Sequence, residues 1–286
     1  MGKYRKNLFG ELAFRSFVPD PLSEVCLEHE AGLDTLINET ALAVQELNAC
    51  AKWLSEEQSR ELLCRESEAS CQLAWGVPPS LYDFLTADTD DGLEWKKDAV
   101  NLNEASVYAL EALDELPLSG RLLRNAHYLM CRSERYEKKY PGEFRISPVW
   151  IGRKNEGLQQ ALFVPPVEED LTASFAELER YIHYEETEHV LVRAALIHYQ
   201  FETIHPFIDA NGRAGRLLNL LFLMDQGVLR QPVLQFSDIL RRRPVAYYRQ
   251  LQHVHDTGEY EPWVVFFLNA LREAACATCR QIAAEK

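Results

Sequence analysis

Residues 204–216, with the apolar run that follows them, constrain this chain more than any other stretch. They bring His205, Asp209 and two arginines close together in sequence. Residues 217–224 are almost entirely apolar and long enough for a buried helix, and Gly227 just beyond them is a common helix stop. The pattern predicts a polar loop that leads into the N-terminus of a buried helix.

The first turn of such a helix attracts anions, because its N–H groups lack intrahelical partners and the helix dipole is positive there. Asn211 and Gly212 suit a tight turn around a phosphate, since both tolerate positive φ and glycine allows close approach. Arg213 and Arg216 lie on one face of the helix, where two guanidinium groups can hold phosphate oxygens. The loop therefore predicts a phosphate-binding site.

Two further side chains of the loop suggest chemistry. Asp209 can carry Mg²⁺, which commonly bridges one or two carboxylates and substrate phosphates. His205 can take a proton near neutral pH. Each residue alone also fits a structural role, with the histidine in a core hydrogen bond, the arginines in salt bridges and residues 211–212 in an ordinary turn. Their combination at a helix mouth favours a nucleotide-phosphate site with a metal and a general base.

The same stretch resembles the signature of the Fic family, which reads His, any residue, Phe, any residue, Asp or Glu, Gly or Ala, Asn, Gly or Lys, Arg, any two residues, Arg. The residues at its defining positions are His205, Phe207, Asp209, Ala210, Asn211, Gly212, Arg213 and Arg216. The resemblance implies a protein adenylyltransferase, which moves AMP from ATP to a hydroxyl of a target protein and releases pyrophosphate.

The resemblance also implies a role for each residue of the motif. His205 would be the general base that takes the proton from the Ser, Thr or Tyr hydroxyl of the target protein. Asp209 would hold Mg²⁺ against the phosphates, and Arg216 would contact the terminal ones. The rest of the ATP site would come from the other residues of the loop and the first helical turns: Ala210, Asn211, Gly212, Arg213, Ala214 and Gly215.

Two short β-favouring runs, residues 148–152 and 161–166, predict a hairpin. It could be purely structural. In the Fic family, however, a hairpin of this type, the flap, covers the active site and pairs with the target protein as an added strand. Such an edge aligns an extended segment through main-chain hydrogen bonds. The residues expected to contact nucleotide and target are Ala161, Leu162, Phe163 and Val164.

Pro244 opens a further predicted helix that carries Tyr247 and Tyr248. The family places a Tyr-Tyr pair here to line the adenine pocket, and aromatic faces supply stacking for a base. His255 stands where relatives often keep an asparagine, which leaves the base preference open.

The N-terminal part is predicted to be an extended arm over residues 1–30, followed by helices over residues 33–54 and 56–73. The second helix resembles the N-terminal module of one Fic class. There, a Ser-x-x-x-Glu-Gly segment places a glutamate beside the second phosphate-binding arginine and blocks the productive ATP pose.

This chain departs from that segment. Ser70 is present, but Ala74 stands in place of the glutamate and Trp75 in place of the glycine. We therefore expect that this helix does not inhibit the enzyme. Other carboxylates could still play the inhibitory role. The alternatives are Glu66 or Glu68 in another register, and the segment that ends at Glu39.

These readings combine into an all-α architecture, a helical Fic core with a small β-hairpin flap and an N-terminal helical module. The module is expected over residues 1–110 and the core over residues 111–286, with the flap at 145–166 and the motif at 205–216. His127 is interpreted as a core or surface histidine without a special role, and His198 as a helix-packing residue. Residues 80–85 are expected to form a short helical turn and residues 86–98 an acidic surface loop.

Composition limits the partners. With 30 basic and 44 acidic residues the formal charge is −14, which argues against nucleic acid or an acidic membrane as a partner. No apolar run reaches the length of a membrane helix, and the N-terminus does not read as a signal peptide. Seven scattered cysteines suit buried thiols in a reducing cytoplasm better than a disulfide framework, and Cys276 and Cys279 are interpreted as packing residues. A homodimer is left open.

Other activities stay open at this point. Relatives with the same fold transfer phosphate or phosphocholine, or remove AMP, and a non-catalytic module could keep the fold for binding proteins. The kinase-like relatives carry lysine where this chain has Gly212. The target protein and its modified residue are not predicted.

Overall fold

The computed structural model describes residues 2–8, 10–27, 31–76, 94–152, 157–185 and 187–285. Apart from one small two-stranded sheet, the described elements are helical. The helices are α1 Ala31–Ala51, α2 Glu56–Trp75, α3 Glu94–Ala112, α4 Gly120–Met130, α5 Glu168–Tyr184, α6 Val190–Ile204, α7 Asn211–Asp225, α8 Phe236–Arg242, α9 Pro244–Thr257 and α10 Glu261–Ala284. Short 3₁₀ turns cover Gly10–Leu12, Leu22–Glu24, Glu134–Lys139 and Leu158–Gln160. The all-α prediction is confirmed.

Helices α6 and α7 lie at the centre of the fold and pack against each other. Nearly every residue of both is buried, and the buried polar side chains among them include His198 on α6 and Arg213 and Arg216 on α7. Around them, α1 packs along α10, and α2 packs against α3 and α8. The buried helix predicted at residues 217–224 is therefore confirmed as part of α7.

Helix α2 has clear end signals. Ser55 forms a capping box with Gln58, and Gly76 ends the helix in a left-handed conformation. The helix thus runs to Trp75, slightly beyond its predicted end at residue 73. It also packs against α7, so its last turns reach the motif.

The predicted extended arm at the N-terminus is wrong. Strands β1 (Lys3–Asn7) and β2 (Phe14–Val18) form an antiparallel hairpin in which Tyr4 pairs with Phe17. The Phe17 ring is buried, and its amide donates to the Val164 carbonyl at 2.8 Å. These strands are too short to show a clear period in the sequence, and their stability comes from contacts with residues far along the chain.

Of the predicted flap hairpin, the described residues show one isolated β-bridge between the two runs. Ile151 and Phe163 form an antiparallel bridge, with the Ile151 amide donating to the Phe163 carbonyl at 2.8 Å. Residues 153–156, between the two runs, lie outside the described residues. Most of the predicted acidic loop at 86–98, and the short helical turn expected at 80–85, also lie outside them. The last residues of that loop belong to α3, which begins at Glu94.

One cysteine prediction is also wrong. Cys50 on α1 and Cys279 on α10 form a disulfide, with Cα atoms 5.8 Å apart. Because 229 residues separate them in sequence, only the packing of α1 on α10 brings the two thiols together. Cys276 remains a free thiol.

The predicted boundary at residue 110 falls inside α3, which packs against both α2 and α4. The division into two parts stays a prediction. Among the described residues, no helix is both long enough and apolar enough to cross a membrane.

Arg145 connects the flap to the motif loop. Its buried guanidinium donates to the carbonyls of His205 (2.8 Å), Pro166 (2.6 Å) and Ile204 (3.2 Å). Burial lowers the pKa of this arginine to about 10. A planar fork with several N–H groups is needed to reach these carbonyls at once.

We expect Arg145→Lys to lower the free energy of unfolding by about 2–3 kcal/mol, because an ammonium cannot make all of these bonds and leaves buried carbonyls unpaired. Urea denaturation measures the loss. Arg132→Lys is the matched control, since the pair that Arg132 forms with Glu104 is exposed, and this change should alter stability by less than about 0.5 kcal/mol. Equal effects in the two variants would contradict the role of Arg145.

Candidate active site

The motif loop between α6 and α7 is shaped by two left-handed residues and one amide. His205 (φ 51°) ends α6, and Ala210 (φ 62°) precedes α7. The buried Asn211 side chain accepts from the Phe207 amide and donates to the Phe207 carbonyl, both at 2.8 Å. Only an amide side chain can donate and accept in this way. Asn211 therefore closes the loop, a role that the sequence analysis did not predict.

A hydrogen bond from one ring nitrogen of His205 fixes the ring and leaves the other nitrogen able to accept a proton. Its Nδ1 lies 3.1 Å from the Glu202 carbonyl, which can only accept, so Nδ1 carries the proton and Nε2 keeps its lone pair. Burial lowers the pKa of His205 to about 4, with the nearby Arg145 charge acting in the same direction. The imidazole is therefore neutral at pH 7 and is partly exposed to the cavity described below.

Asp209 is bound from two sides. Its Oδ1 accepts from the Ala210 amide at 2.6 Å, and its Oδ2 lies 2.5 Å from Lys139 Nζ. Burial acts to raise the pKa of Asp209, but the bonds from Lys139 and the Ala210 amide outweigh it and hold the pKa below its usual value. The carboxylate is therefore ionised and already paired with a cation.

His127 on α4 packs against the motif loop and bonds its backbone. Its interpretation as a residue without a special role is therefore wrong. Its ring stacks on Phe207, with centroids 3.7 Å apart, and its Nε2 donates to the Asp209 carbonyl at 3.0 Å. The Gly142 amide donates to its Nδ1 at 2.9 Å, which fixes this tautomer. His127 therefore holds the backbone of the motif in place.

The two motif arginines are held by groups from the N-terminal half of the chain. Arg213 donates to Asp98 Oδ2 on α3 at 2.7 Å and to the Tyr136 hydroxyl at 2.6 Å. Arg216 donates to Ser70 Oγ at 2.8 Å and to the Ser70 carbonyl at 2.9 Å. The expected neighbourhood of Ser70 and Arg216 is thus present in the structure.

A cavity of about 810 Å³ opens over this loop, a volume typical of small-molecule sites. One group of lining residues is joined by contacts, because Arg135 lies over the Trp75 ring, and Trp75 and Arg213 both donate to Asp98. Ala74 and Arg216 lie beside it, since Ala74 is one turn from Ser70 on α2 and Arg216 donates to Ser70. A second group comes from α9 and comprises Tyr248, Gln252 and His255, with the His255 ring stacked on Phe163 at a centroid distance of 4.2 Å and Tyr248 close enough to Arg216 to feel its charge. We call these the arginine end and the aromatic end.

Most of the predicted site residues line this cavity: Leu162, Phe163, His205, Asp209, Ala210, Asn211, Gly212, Arg213, Arg216 and Tyr248. The described lining does not include Ala161, Val164, Ala214, Gly215 or Tyr247. Tyr247 is buried behind the cavity, where its hydroxyl shares a 2.8 Å hydrogen bond with His198 Nε2. The geometry therefore favours Tyr248 as the tyrosine that faces a ligand, and His198 is a packing residue as expected.

Glu202 is a cavity residue that the sequence analysis missed. Burial raises the pKa of its carboxyl to about 7, although the Arg216 charge acts in the opposite direction. A Cβ at Gly215 would lie 2.5 Å from Glu202 Oε1, so glycine at 215 makes room for this side chain. Its place before the motif histidine gave no chemical signal in the sequence.

Neither alternative inhibitory carboxylate from α2 is among the described residues that line the cavity, although the Arg216 charge acts on the buried carboxyl of Glu66. Glu66 accepts from the Ser237 amide at 2.9 Å and so caps α8, and Glu68 is exposed. Glu39 pairs with Arg272 on α10. Ala74 itself lines the arginine end.

The arginine end is positive although the chain is acidic. Around it, in the described part of the chain, Arg135, Lys139, Arg213 and Arg216 stand against the carboxylates of Asp98 and Asp209. The carboxyls of Glu202 and Glu66 also lie near Arg216, but burial raises their pKa to about 7 and about 8, so that much of their negative charge is absent at neutral pH. The first turn of α7 adds the positive end of a helix dipole. This end of the cavity therefore suits an anion such as a phosphate chain.

Comparison with known proteins supports this description. Residues 117–223 match the family model described as "Fic/DOC family". Two relatives named "Protein adenylyltransferase Fic", from Drosophila erecta and Drosophila yakuba, are 35% and 36% identical over 127 residues. The match covers 44% of this chain and 22% of each relative. This chain thus spans about a fifth of the length of the curated relatives it matches.

Solved structures share the fold. A Fic family protein from Desulfovibrio desulfuricans G20 has a TM-score of 0.69 at 23% identity, covering 91% of this chain and 76% of that protein. Fic-1 (aa134 - 508) from C. elegans has a TM-score of 0.60 at 18% identity, covering 89% of this chain and 73% of that one. These similarities show that the chain shares the fold of these Fic proteins and that residues 117–223, which contain the motif, match the Fic/DOC family model.

Proposed function

We propose that this chain is a protein adenylyltransferase that transfers AMP from ATP to a Ser, Thr or Tyr hydroxyl of a target protein. The observation that carries the proposal is that a neutral imidazole with a free Nε2 shares one cavity with a positive helix N-terminus and two buried arginines. A base and an anion site in one cavity are what transfer from a phosphate ester to a hydroxyl requires. The names of the relatives above point to the same activity.

ATP would lie along the cavity with its phosphates at the arginine end and its base at the aromatic end. Amides of the first turn of α7 and the guanidinium of Arg216 would bind phosphate oxygens. Tyr248 and the stacked rings of Phe163 and His255 offer aromatic surface to a base. His205, which lines the same cavity, would then stand beside the α-phosphate.

In the transfer step, the target hydroxyl would give its proton to His205 Nε2 while its oxygen attacks the α-phosphorus. A new O–P bond forms as the bond from the α-phosphorus to the bridging oxygen breaks, and that oxygen leaves with pyrophosphate. The imidazole becomes an imidazolium, which Asp209 nearby would stabilise. Arg216 and the helix N-terminus would offset the charge that develops on the leaving group.

Asp209 is the residue that would hold Mg²⁺. Among the described residues there is no cluster of three or more His, Cys, Asp or Glu side chains that could form a metal cage. A single carboxylate fits Mg²⁺, which keeps several waters and takes its other ligands from phosphates. Lys139, now 2.5 Å from Asp209 Oδ2, would have to move aside. When bound, Mg²⁺ would neutralise phosphate charge.

We place target binding at the flap. The side chains of Ile151 and Leu162, on the two paired segments, are 46% and 66% exposed although both are apolar, and Ile146 nearby is 75% exposed. An extended target segment could add to this edge through main-chain hydrogen bonds, with apolar pockets or side chains covering these residues. A cytoplasmic location and a homodimer stay predictions from the sequence.

We expect His205→Ala to lower transfer of label from α-labelled ATP to protein by about 100-fold or more, because the general base is lost. Its ATP affinity should stay within about twofold, since the imidazole does not hold the phosphates. His253→Ala is the matched control, because His253 is paired with Glu259 at the surface of α9. Transfer measured on the chain itself and on proteins of an extract tests this. A collapse of ATP affinity in His205→Ala would contradict the role of His205 as a general base that does not hold the phosphates. If the unmutated chain transfers no label, a non-catalytic binding module would be favoured over an enzyme.

The pH dependence follows from the pKa of His205. A base acts when deprotonated, and a folded-state pKa of about 4 keeps His205 deprotonated at every pH above about 5. The rate should therefore show no ascending limb from this group between pH 6 and pH 8. NMR titration of the imidazole in the nucleotide-free protein checks the pKa directly. A value at or above 6.5, or protonated Nε2 at neutral pH, would contradict the tautomer described here.

Ala74→Glu should inhibit the enzyme, because it places a carboxylate at the arginine end within reach of Arg216. We expect at least a tenfold loss of transfer, with weaker ATP binding. Ala74→Gln, which has the same length without the charge, is the control and should lose much less. Undiminished transfer in Ala74→Glu would show that residue 74 does not control access to the phosphate site.

A further inference from the structure

We propose that Arg135, which lies outside the motif, is a third arginine that binds the terminal phosphates of the nucleotide, and that the Trp75 ring holds it in place. This inference rests on the proposed function. It assigns ligand binding to a residue in the 3₁₀ turn Glu134–Lys139 and a structural purpose to the tryptophan that ends α2.

Arg135 is positioned by aromatic rings. Its guanidinium carbon lies 4.2 Å from the centroid of the Trp75 ring and 4.5 Å from that of Tyr136. Both distances are well within the range of cation–π contacts. A guanidinium bound through its flat face keeps its N–H groups, which lie in its plane, free for oxygen acceptors. The side chain is 28% exposed and lines the cavity.

The nearby carboxylates leave the N–H groups of Arg135 available. Asp98 Oδ2 is 3.6 Å from its Nη1 and Asp209 Oδ2 is 3.8 Å from its Nη2, both longer than a hydrogen bond. The same oxygens are already used, since Asp98 Oδ2 accepts from Arg213, Tyr136 and Trp75, and Asp209 Oδ2 accepts from Lys139. Within the described part of the chain, Arg135 is thus ion-paired with Asp98 and Asp209 but not hydrogen-bonded to either, so its N–H groups can still bind a ligand oxygen.

Arg135 differs in this respect from the two motif arginines. Arg213 is 2% exposed and donates to Asp98 and Tyr136, and Arg216 is 5% exposed and donates to Ser70. Their guanidinium groups are fixed by protein acceptors, and part of their donor capacity is spent on them. The more exposed Arg135 has the larger share of its donors left for a ligand.

Trp75 fixes the position of this charge. Its Nε1 donates to Asp98 Oδ2 at 3.1 Å, which locks the indole at the end of α2, just before the left-handed Gly76. Glycine at position 75 would leave Arg135 without this aromatic platform. Because Ala74 precedes it, the end of α2 brings no carboxylate to the cavity and instead supports a cation there.

The neighbours of Arg135 indicate which phosphates it meets, because it contacts Trp75 and lies 3.6 Å from Asp98 Oδ2, the same oxygen that holds Arg213. The base would lie at the aromatic end, beside Tyr248 and His255, and His205 would stand beside the α-phosphate. The terminal phosphates then point toward the arginine end, where Arg135 lies with Ala74 and Arg213. We therefore expect Arg135 to favour ATP over AMP.

The test compares the affinities of ATP and AMP, measured by calorimetry, for the full chain and its variants. Arg135→Ala should weaken ATP binding by about 10- to 100-fold, the loss of a charge-assisted contact, and AMP binding by less than about twofold. Arg132→Ala is the matched control, because Arg132 lies close in sequence but forms an exposed pair with Glu104. It should leave both affinities unchanged. Equal losses for ATP and AMP in Arg135→Ala would assign it a structural role and overturn the proposal, as would no loss.

The role of Trp75 is tested in the same assay. Trp75→Phe keeps a flat ring and should weaken ATP binding by less than about threefold, whereas Trp75→Ala should weaken it by about three- to tenfold without a matching loss for AMP. If Trp75→Ala folds and keeps the ATP-to-AMP affinity ratio of the unmutated chain, its positioning role is wrong. Circular dichroism and urea denaturation of each variant identify a general loss of folding.

The outcomes separate this inference from the proposed function. A chain that transfers AMP but whose ATP-to-AMP affinity ratio does not change in Arg135→Ala contradicts the inference alone. A chain that binds ATP through Arg135 but transfers nothing contradicts the proposed function alone. An unmutated chain that binds neither nucleotide contradicts both.

Discussion

The paired hydrogen bonds between the Asn211 side chain and the backbone of Phe207 are the interaction on which the rest of the site depends. They close the loop between α6 and α7 inside the protein, where a lost partner would leave buried polar groups unpaired at a cost of about 1–3 kcal/mol each. The closed loop places His205 at the end of one helix and the open N–H groups at the start of the next in the same cavity. Base and anion site are therefore fixed by one local structure.

Around that loop, residues distant in sequence set the direction of the charged side chains. Asp98 and Tyr136 hold Arg213, Ser70 holds Arg216, and His127 holds the backbone at Asp209. Because α2 and α3 supply two of these groups, the N-terminal helices are part of the site and not only a cover over it. The result is a positive cavity end in a chain whose formal charge is −14, which is the condition for binding a polyanion locally.

The sequence predicted those features that are encoded by patterns within short segments of the chain. The motif loop, the buried helix α7 and the course of α2 all follow from spacing and periodicity within short segments. The position of Ala74 near Arg216 came instead from the resemblance to the N-terminal module of one Fic class. Tyr247 and Tyr248 show the limit of that approach. Adjacent residues on a helix point in directions about 100° apart, so only one of them can face the cavity, and the sequence does not say which.

The features that the sequence analysis missed depend on contacts between distant segments. The N-terminal hairpin is stabilised where Phe17 meets Val164, the disulfide joins residues on the first and last helices, and Asp98 reaches Arg213 across 115 positions. No periodicity records such pairs. Arg135 and Glu202 were likewise ordinary charged residues in the sequence, and only their place in the cavity marks them.

The most direct test of the account is a crystal structure of the unmutated chain with Mg²⁺ and an ATP analogue whose bond between the α- and β-phosphorus atoms cannot be cleaved. The account predicts the triphosphate at the first turn of α7, with the α-phosphorus separated from His205 Nε2 by room for one hydroxyl oxygen, a gap of about 5–6 Å with each contact near 3 Å. The base should lie beside Tyr248 and His255. A triphosphate bound elsewhere, or a His205 ring turned away from the α-phosphate, would contradict it.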